Sequence, residues 1–286
     1  MSWQIAQQTI PIWTLAGRQA IPFGCGQRQR ELLQTRQGES DLAFIDGDFY
    51  LFATCEVEEP EPIEVEGVLG VDLGIVNIAS TSDGEHFSGS RANNIRHRRS
   101  ALRTKLQARG THSAKRKLAR LSGKERRFAT DINHVISKQL VHIAQRTKRA
   151  IGLEDLTGIR SRVRTRSRQR YQLHSWSFYQ LRQFVEYKAK LAGIPIVPVD
   201  PAYTSQTCPG CGHADKRNRR TQSLFRCVNC EFVAHADTVG AINIGRAAVA
   251  QPSRPDFVNL PNVPNSKPGF QSGVRIPTQF QDSVHS

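Results

Sequence analysis

A chain of 286 residues, 38% of them hydrophobic, can bury one large core or two smaller ones. Its 40 Lys and Arg against 25 Asp and Glu leave a net charge of +15, which calls for a polyanionic partner, nucleic acid before an anionic membrane. No run of about 18 apolar residues and no basic-then-apolar leader at Met1–Ile5 is found, so a membrane is excluded and a cytoplasmic protein is expected.

Residues 1–66 read as β-rich. Asp41–Ile45 and Phe49–Val57 flank Asp46-Gly47-Asp48, a hairpin signal. Glu58–Glu66, acidic and carrying Pro60 and Pro62, reads as a linker. A buried strand follows at 68–72, a second from Val76 to Thr81, and a short third near His86–Ser88.

Helices come next. Residues 91–108 set Leu102 and Leu106 on one face and Arg96, Arg99 and Arg103 on another. Gly110 and Ser122-Gly123 are expected to separate further helices, the longest running from about Lys124 to Arg149 on a stripe of Ile132, Val135, Ile136, Leu140 and Ile143. A strand over 150–153 then delivers Glu154, a helix spans about 174–192, and a strand covers 194–199. The last helix covers about 237–249, and the proline-rich residues 251–286 read as a disordered tail. This order of elements predicts a mixed sheet covered by helices.

Charge is segregated along the chain. Residues 31–66 carry eleven acids and one base, whereas 91–127 carry fourteen Lys and Arg and one acid, Glu125. The basic stretch, with Lys115, Arg116 and Lys117 beside the three helical arginines, reads as a phosphate-binding surface. Arginine also recurs at every second position from Arg160 through Arg162, Arg164, Arg166 and Arg168 to Arg170, a pattern that suits one side of an extended segment and equally a mobile polar loop. Lys216, Arg217, Arg219 and Arg220 offer further phosphate contacts.

Three acids stand inside or against apolar runs: Asp72 after Val68–Val71, Glu154 after Ile151–Leu153, and Asp237 before Thr238–Ile244. An ionised carboxylate there needs a cation or hydrogen bonds. Taken singly, Asp72 also suits a strand-end turn, Glu154 the start of a polar loop, and Asp237 a helix N-cap. Converging, the three would form an oxygen-rich site for Mg²⁺ or Mn²⁺, able to activate water against a phosphodiester. Cys208, Cys211, Cys227 and Cys230 form C-x₂-C-x₁₅-C-x₂-C, the spacing of a closed structural Cys₄ zinc site. Cys25 and Cys55 read as ordinary buried or half-buried thiols.

These motifs, in this order, closely resemble the TnpB proteins of bacterial insertion sequences, RNA-guided nucleases related to type V CRISPR effectors. The resemblance spans 68–249 and runs through Gly70-Val-Asp72-Leu-Gly74, Leu153-Glu154-Asp155-Leu156, Tyr203-Thr-Ser-Gln-Thr-Cys208, the two cysteine pairs and Asp237-x-x-x-Ala241-x-Asn243-Ile244. It implies an α/β fold: a RuvC-like domain of RNase H type over 67–206, with a basic helical insert (91–150), a zinc ribbon (207–234) and a final helix (235–250). Its three acids fall on Asp72, Glu154 and Asp237. Gly240 stands where the family usually has alanine. Residues 1–66 resemble the later strands of the family's N-terminal wedge-like β-barrel, and the resemblance leads one to expect its helical insert and earlier strands to be missing from these residues.

The activity implied is metal-dependent cleavage of DNA, with guide RNA as partner and a role beside the nucleoid. Two other expectations stand next to it. One is a shortened nucleic-acid-binding regulator of transposition without programmed cleavage; the other is an unguided RNase H-like nuclease.

Overall fold

The computed structural model describes residues 3–45, 47–155, 178–250 and, as backbone, 274–276. The chain divides into two compact units, 1–58 with 261–286, and 59–260.

In the first unit, β1 (Thr9–Thr14) and β2 (Gly17–Pro22) form a hairpin, and α1 (Gln27–Leu32) leads into the longer pair β3 (Arg36–Ile45) and β4 (Asp48–Cys55). Ile45 pairs with Asp48 across the expected turn, where Gly47 takes φ +96°. That backbone suits glycine, which has no Cβ to clash. Ile10, Phe23, Leu33 and Leu51 make the core, with Cys25 and Cys55 half-buried at its edge. Of the expected tail, only Val274–Ile276 is described, as a strand paired with Phe49–Leu51; the remainder lies outside the described residues.

The second unit is built on a five-stranded sheet in the order β7-β6-β5-β8-β9. Its strands are β5 (Gly67–Asp72), β6 (Asn77–Thr81), β7 (His86–Ser88), β8 (Arg149–Glu154) and β9 (Ile196–Val199). The three consecutive strands pair antiparallel, while β8 and β9 join parallel to β5 after helical crossovers. This is the expected mixed sheet.

Two differences from expectation concern the helices. α2 (Ser90–Arg109) ends at Gly110, as predicted, but α3 runs unbroken from His112 to Arg146. Ser122-Gly123 does not interrupt it. A mid-helix glycine costs about 1 kcal/mol, less than is gained by burying Ala129, Ile136, Leu140, Val141, Ile143 and Ala144 along the rest of the helix. The helix stops at Thr147, because Lys148 turns left-handed with φ +47°, and Arg149 begins the strand.

Strand alternation assigns the two faces of the sheet. Leu69 and Val71 of β5, with Ile151 and Leu153 of β8, point into the main core against Ile136 and Leu140 of α3 and Leu181 and Val185 of α4 (Phe178–Leu191). Gly70, Asp72, Gly152 and Glu154 therefore share the opposite face. There the last helix, α5 (Ala236–Ala250), lies across the sheet with Ile244 and Ala248 packed on Val199 and Val68.

The approach of α5 is close enough to dictate a residue. A Cβ on Gly70 would stand 1.9 Å from the Ala241 carbonyl oxygen and 2.5 Å from the Gly245 amide, both backbone atoms. No side-chain rotation relieves such a clash, so α5 would have to lift off the strand. Gly70→Ala is expected to destabilise the protein by about 3 kcal/mol, the upper end of ordinary overpacking. Chemical denaturation reads this directly, and an unchanged midpoint would contradict the packing.

Candidate active site and four-cysteine ribbon

β5 and β8 run parallel with Val71 opposite Leu153, so Asp72 and Glu154 emerge side by side at the carboxyl ends of adjacent strands. Asp237, in the first turn of α5, closes the site from above and is 6% exposed. The helix presses on the strand here too: a Cβ on Gly240 would lie 3.2 Å from Asp72 Oδ2, so the glycine leaves that carboxylate room. Asp72 and Glu154 are half-buried.

Asp237 is not spent on capping its helix. Its Oδ2 accepts a hydrogen bond from Asn77 Nδ2 at 3.0 Å, and its Oδ1 accepts one from the Arg219 guanidinium at 3.1 Å. Glu154 Oε1 accepts from Thr204 Oγ1 at 2.6 Å. Arg182 of α4 braces the end of β8, donating to the Glu154 carbonyl at 3.3 Å and to Asp155 Oδ1 at 2.9 Å.

Asp72 feels both of the other acids. Desolvation first, then the charges of Glu154 and Asp237, push the Asp72 carboxyl up to about 7 against the partial relief of Arg219. Desolvation also raises Glu154, opposed by the Thr204 hydroxyl and Arg219. Such crowding of carboxylates fits a divalent cation, the hard oxygen donors being those that Mg²⁺ and Mn²⁺ take. Among the described residues, the four cysteines are the group whose ligand atoms come close enough together to hold a metal, and the three acids are not among them.

The pH consequence has a definite sign. An unfolded aspartate titrates near about 3.9, whereas folded Asp72 holds its proton up to about 7. Between those values the native state binds a proton that the unfolded state has lost, so stability falls as pH rises through this window. The metal-free protein is expected to melt lower at pH 8 than at pH 5, and Asp72→Asn to flatten the slope. A melting profile with the same slope in wild type and variant would contradict the crowding.

Arg219 reaches Asp237 from the cysteine module, where β10 (Leu224–Arg226) and β11 (Val233–His235) form a small hairpin. The Sγ atoms of Cys208, Cys211, Cys227 and Cys230 all lie within 4.8 Å of one another, with Cys208–Cys230 and Cys211–Cys227 at 3.6 Å. Four thiolates held tetrahedrally at the 2.3 Å zinc–sulfur distance would be about 3.8 Å apart, so the group fits a zinc ion. Backbone N–H groups of Gly210 and Asn229 already point at Cys208 and Cys227 sulfurs. Buried Asn218 ties the loop by donating to the Gln206 and His213 carbonyls and accepting from the Val228 amide. Cys208, Phe225 and Cys227 pack with Ala236 and Val239, so the ribbon core continues into the first turn of α5.

The basic residues separate by environment. Arg103 pairs with Glu125 across the α2–α3 hairpin, Arg99 lies over the Phe128 ring, and Arg96 bonds Asn93. Arg103 and Arg99 turn toward protein because α3 continues past them and offers an acid and an aromatic ring, whereas the partner of Arg96 lies on α2 itself. Lys115, Arg116 and Lys117 are exposed, and Arg116, Lys117, Arg120 and Lys124 line an open cleft floored by Leu102 and Leu121. Arg217 pairs with Asp215. Arg160, Arg162, Arg164, Arg166 and Arg168 lie outside the described residues.

Sequence reasoning named the acids and cysteines but missed their supports. Thr204 and Asn243 lie within the motifs, and their contacts are visible only in three dimensions. Asn77 and Arg182 carry no sequence signal, and Arg219, expected on phosphate, bonds Asp237 instead.

The fold is a mixed α/β domain, a five-stranded sheet with a four-cysteine module inserted ahead of its last helix. Residues 52–157 match a family model described as a probable transposase, and 178–244 one described as the Cas12f1-like TNB domain. The TnpB-like protein MJ0751 of Methanocaldococcus jannaschii is 33% identical over 195 residues, covering 64% of this chain and 69% of the relative. The chain belongs to the TnpB family. The CRISPR-associated endodeoxyribonuclease Cas12f1 of Sulfoacidibacillus thermotolerans is 32% identical over 215 residues, 68% of this chain and 49% of that protein. The chain spans about half the length or less of the first such curated relatives. Among solved structures, the mini-RNA-guided endonuclease CRISPR-Cas_phi3 shares the fold at a TM-score of 0.50 and 15% identity, over 77% of this chain and 53% of the other. No helix among the described residues is long and apolar enough to cross a membrane.

Proposed function

We propose that this chain is a transposon-encoded, metal-dependent DNA endonuclease of the TnpB type that works with a guide RNA. Asp72, Glu154 and Asp237 would hold Mg²⁺ or Mn²⁺, and Cys208, Cys211, Cys227 and Cys230 a structural zinc. The observation that carries the reading is the meeting of two strand-end carboxylates with a buried helix carboxylate, where burial first and then the charges of Glu154 and Asp237 push Asp72 up to about 7. A divalent ion bound there supplies water activation and neutralises charge on the phosphodiester. The chain's own residues fix the donors: β5 and β8 aim Asp72 and Glu154, and Asn77 orients Asp237. Arg219, which balances Asp237 here, would give up that oxygen to the cation.

Nucleic acid would lie along the α2–α3 cleft, with Lys115, Arg116 and Lys117 on phosphate, and Arg160, Arg162, Arg164, Arg166 and Arg168 adding contacts. Such contacts position the strand without reading its sequence. Replacing Arg116 and Lys117 with alanine should weaken binding to single-stranded DNA equally for all sequences. It should also flatten the salt slope by about 0.7 per lost contact.

The test is to sequence RNA that copurifies with the full chain and to offer a DNA duplex matching it, with Mg²⁺. A discrete RNA and cleavage of the matched duplex support the proposal. DNA binding without cleavage in Mg²⁺ or Mn²⁺ would overturn it in favour of a regulator of transposition. Cleavage indifferent to the RNA would overturn the guided part alone.

A further inference from the structure

Glu154 is held by a hydroxyl, and that hydroxyl is itself held from α5. Thr204 Oγ1 lies 2.6 Å from Glu154 Oε1 and 3.2 Å from the Pro201 carbonyl oxygen. A hydroxyl has one proton to give, and the shorter contact is the one expected for O–H donation to a carboxylate. Thr204 is 7% exposed, so water does not compete freely for it.

The turn that presents this hydroxyl is strained. Tyr203 takes φ +64°, a left-handed conformation that costs a non-glycine residue about 1–2 kcal/mol. It persists where the surroundings over-determine it. Part of that determination is internal, because the Gln206 and Thr207 amides both donate to the Tyr203 carbonyl. Two buried side chains add to it: Asn218 Nδ2 donates to the Gln206 carbonyl, and from α5 Asn243 Nδ2 donates at 2.7 Å to both the Thr204 and the Thr207 carbonyls. A primary amide has two N–H groups on one nitrogen and can serve two carbonyls at once. Aspartate has the same shape but would face both carbonyls with oxygen.

Asparagine is an ordinary-to-poor residue inside a helix. Its place in α5 is explained by this double donation. Asn243 shares the helix with Asp237 and with Gly240, which abuts Asp72.

We propose that Asn243 and Thr204 are positioning residues for the nuclease centre. Asn243 pins the 203–207 turn, and the hydroxyl of that turn fixes the Glu154 carboxylate. One helix thereby sets all three acids: Asp237 by carrying it, Asp72 by contact at Gly240, and Glu154 through Asn243 and Thr204. This rests on the reading above that Glu154 belongs to the cleaving centre.

The test uses the full chain with its copurifying RNA, and the variants Thr204→Val, Thr204→Ser, Asn243→Asp, the double variant T204V/N243D, and Glu154→Gln. Three quantities are read: kcat and KM on a labelled single-stranded DNA oligonucleotide, Mn²⁺ affinity by electron paramagnetic resonance titration, and melting temperature. Losing a group that orients a metal ligand typically weakens metal affinity or activity roughly 10–100-fold. Thr204→Val should therefore lower kcat and Mn²⁺ affinity by roughly that factor, with KM and melting temperature unchanged. Thr204→Ser, which restores the hydroxyl, should restore both.

Asn243→Asp should reproduce the loss, and the double variant should add little to either single one, because both break the same connection. Wild-type kcat and Mn²⁺ affinity in Thr204→Val, no rescue by serine, or full additivity would overturn the positioning role. If Glu154→Gln also kept wild-type cleavage and Mn²⁺ affinity, the reading of the centre itself would fall. A dead Glu154→Gln beside an unimpaired Thr204→Val would overturn the positioning role alone.

Discussion

Asp237→Ala is expected to lose Mg²⁺-dependent cleavage roughly a thousandfold or more, while nucleic-acid affinity stays level or tightens. A metal site of this kind supplies several kcal/mol of charge stabilisation in the transition state, and each 1.4 kcal/mol is about tenfold in rate. Losing one of three protein ligands forfeits most of that. Affinity should not fall, because the change removes a buried negative charge and frees Arg219, now bonded to Asp237 Oδ1. Asp72→Ala and Glu154→Ala should behave alike. Cleavage assays beside filter binding separate the two quantities. Wild-type cleavage in Asp237→Ala would reduce that residue to its structural contacts with Asn77 and Arg219.

The second large effect is expected from the ribbon. Purified reduced protein should carry about one zinc per chain, and Cys227→Ser should lose it. Structural zinc contributes about 10–16 kcal/mol in isolated zinc-finger peptides, far more than so small a hairpin gains from Phe225 alone. The damage should not stay local. Ala236 and Val239 of α5 share the ribbon core with Cys208 and Cys227, and Arg219 leaves the ribbon to reach Asp237. Cleavage should therefore fall as far as in the acid variants even though all three acids remain. Elemental analysis and limited proteolysis check this. A zinc-free ribbon that resists protease and an active Cys227→Ser protein would contradict it.

The parts of this architecture legible in the sequence were those written in local pattern. Val68–Val71 and Ile151–Leu153 are short apolar runs whose ends are marked by acids, and they became the neighbouring parallel strands β5 and β8. The cysteine spacing marked the ribbon because two cysteines with two residues between them, in each of two pairs, leave little geometric freedom.

What was not legible depends on partners distant in the chain. Ser122-Gly123 resembles a break until α3 is seen packed along α4, where tertiary burial overrides propensity. Arg99 and Arg103 share a helical face with Arg96, but nothing local says that Phe128 and Glu125 will arrive against that face. Arg219 is one of four bases in a loop, and only the fold of the ribbon aims it at an acid eighteen residues later. Asn243 looks like a mid-helix defect until the carbonyls of Thr204 and Thr207 are placed beside it.

The most direct measurement of the central claim is anomalous scattering from crystals of the full chain soaked in Mn²⁺. A manganese peak ligated by Asp72, Glu154 and Asp237, with the Arg219 guanidinium withdrawn from Asp237 Oδ1, is the predicted result. Density showing no manganese among the three carboxylates at saturating Mn²⁺, and Arg219 still bonded to Asp237, would contradict it.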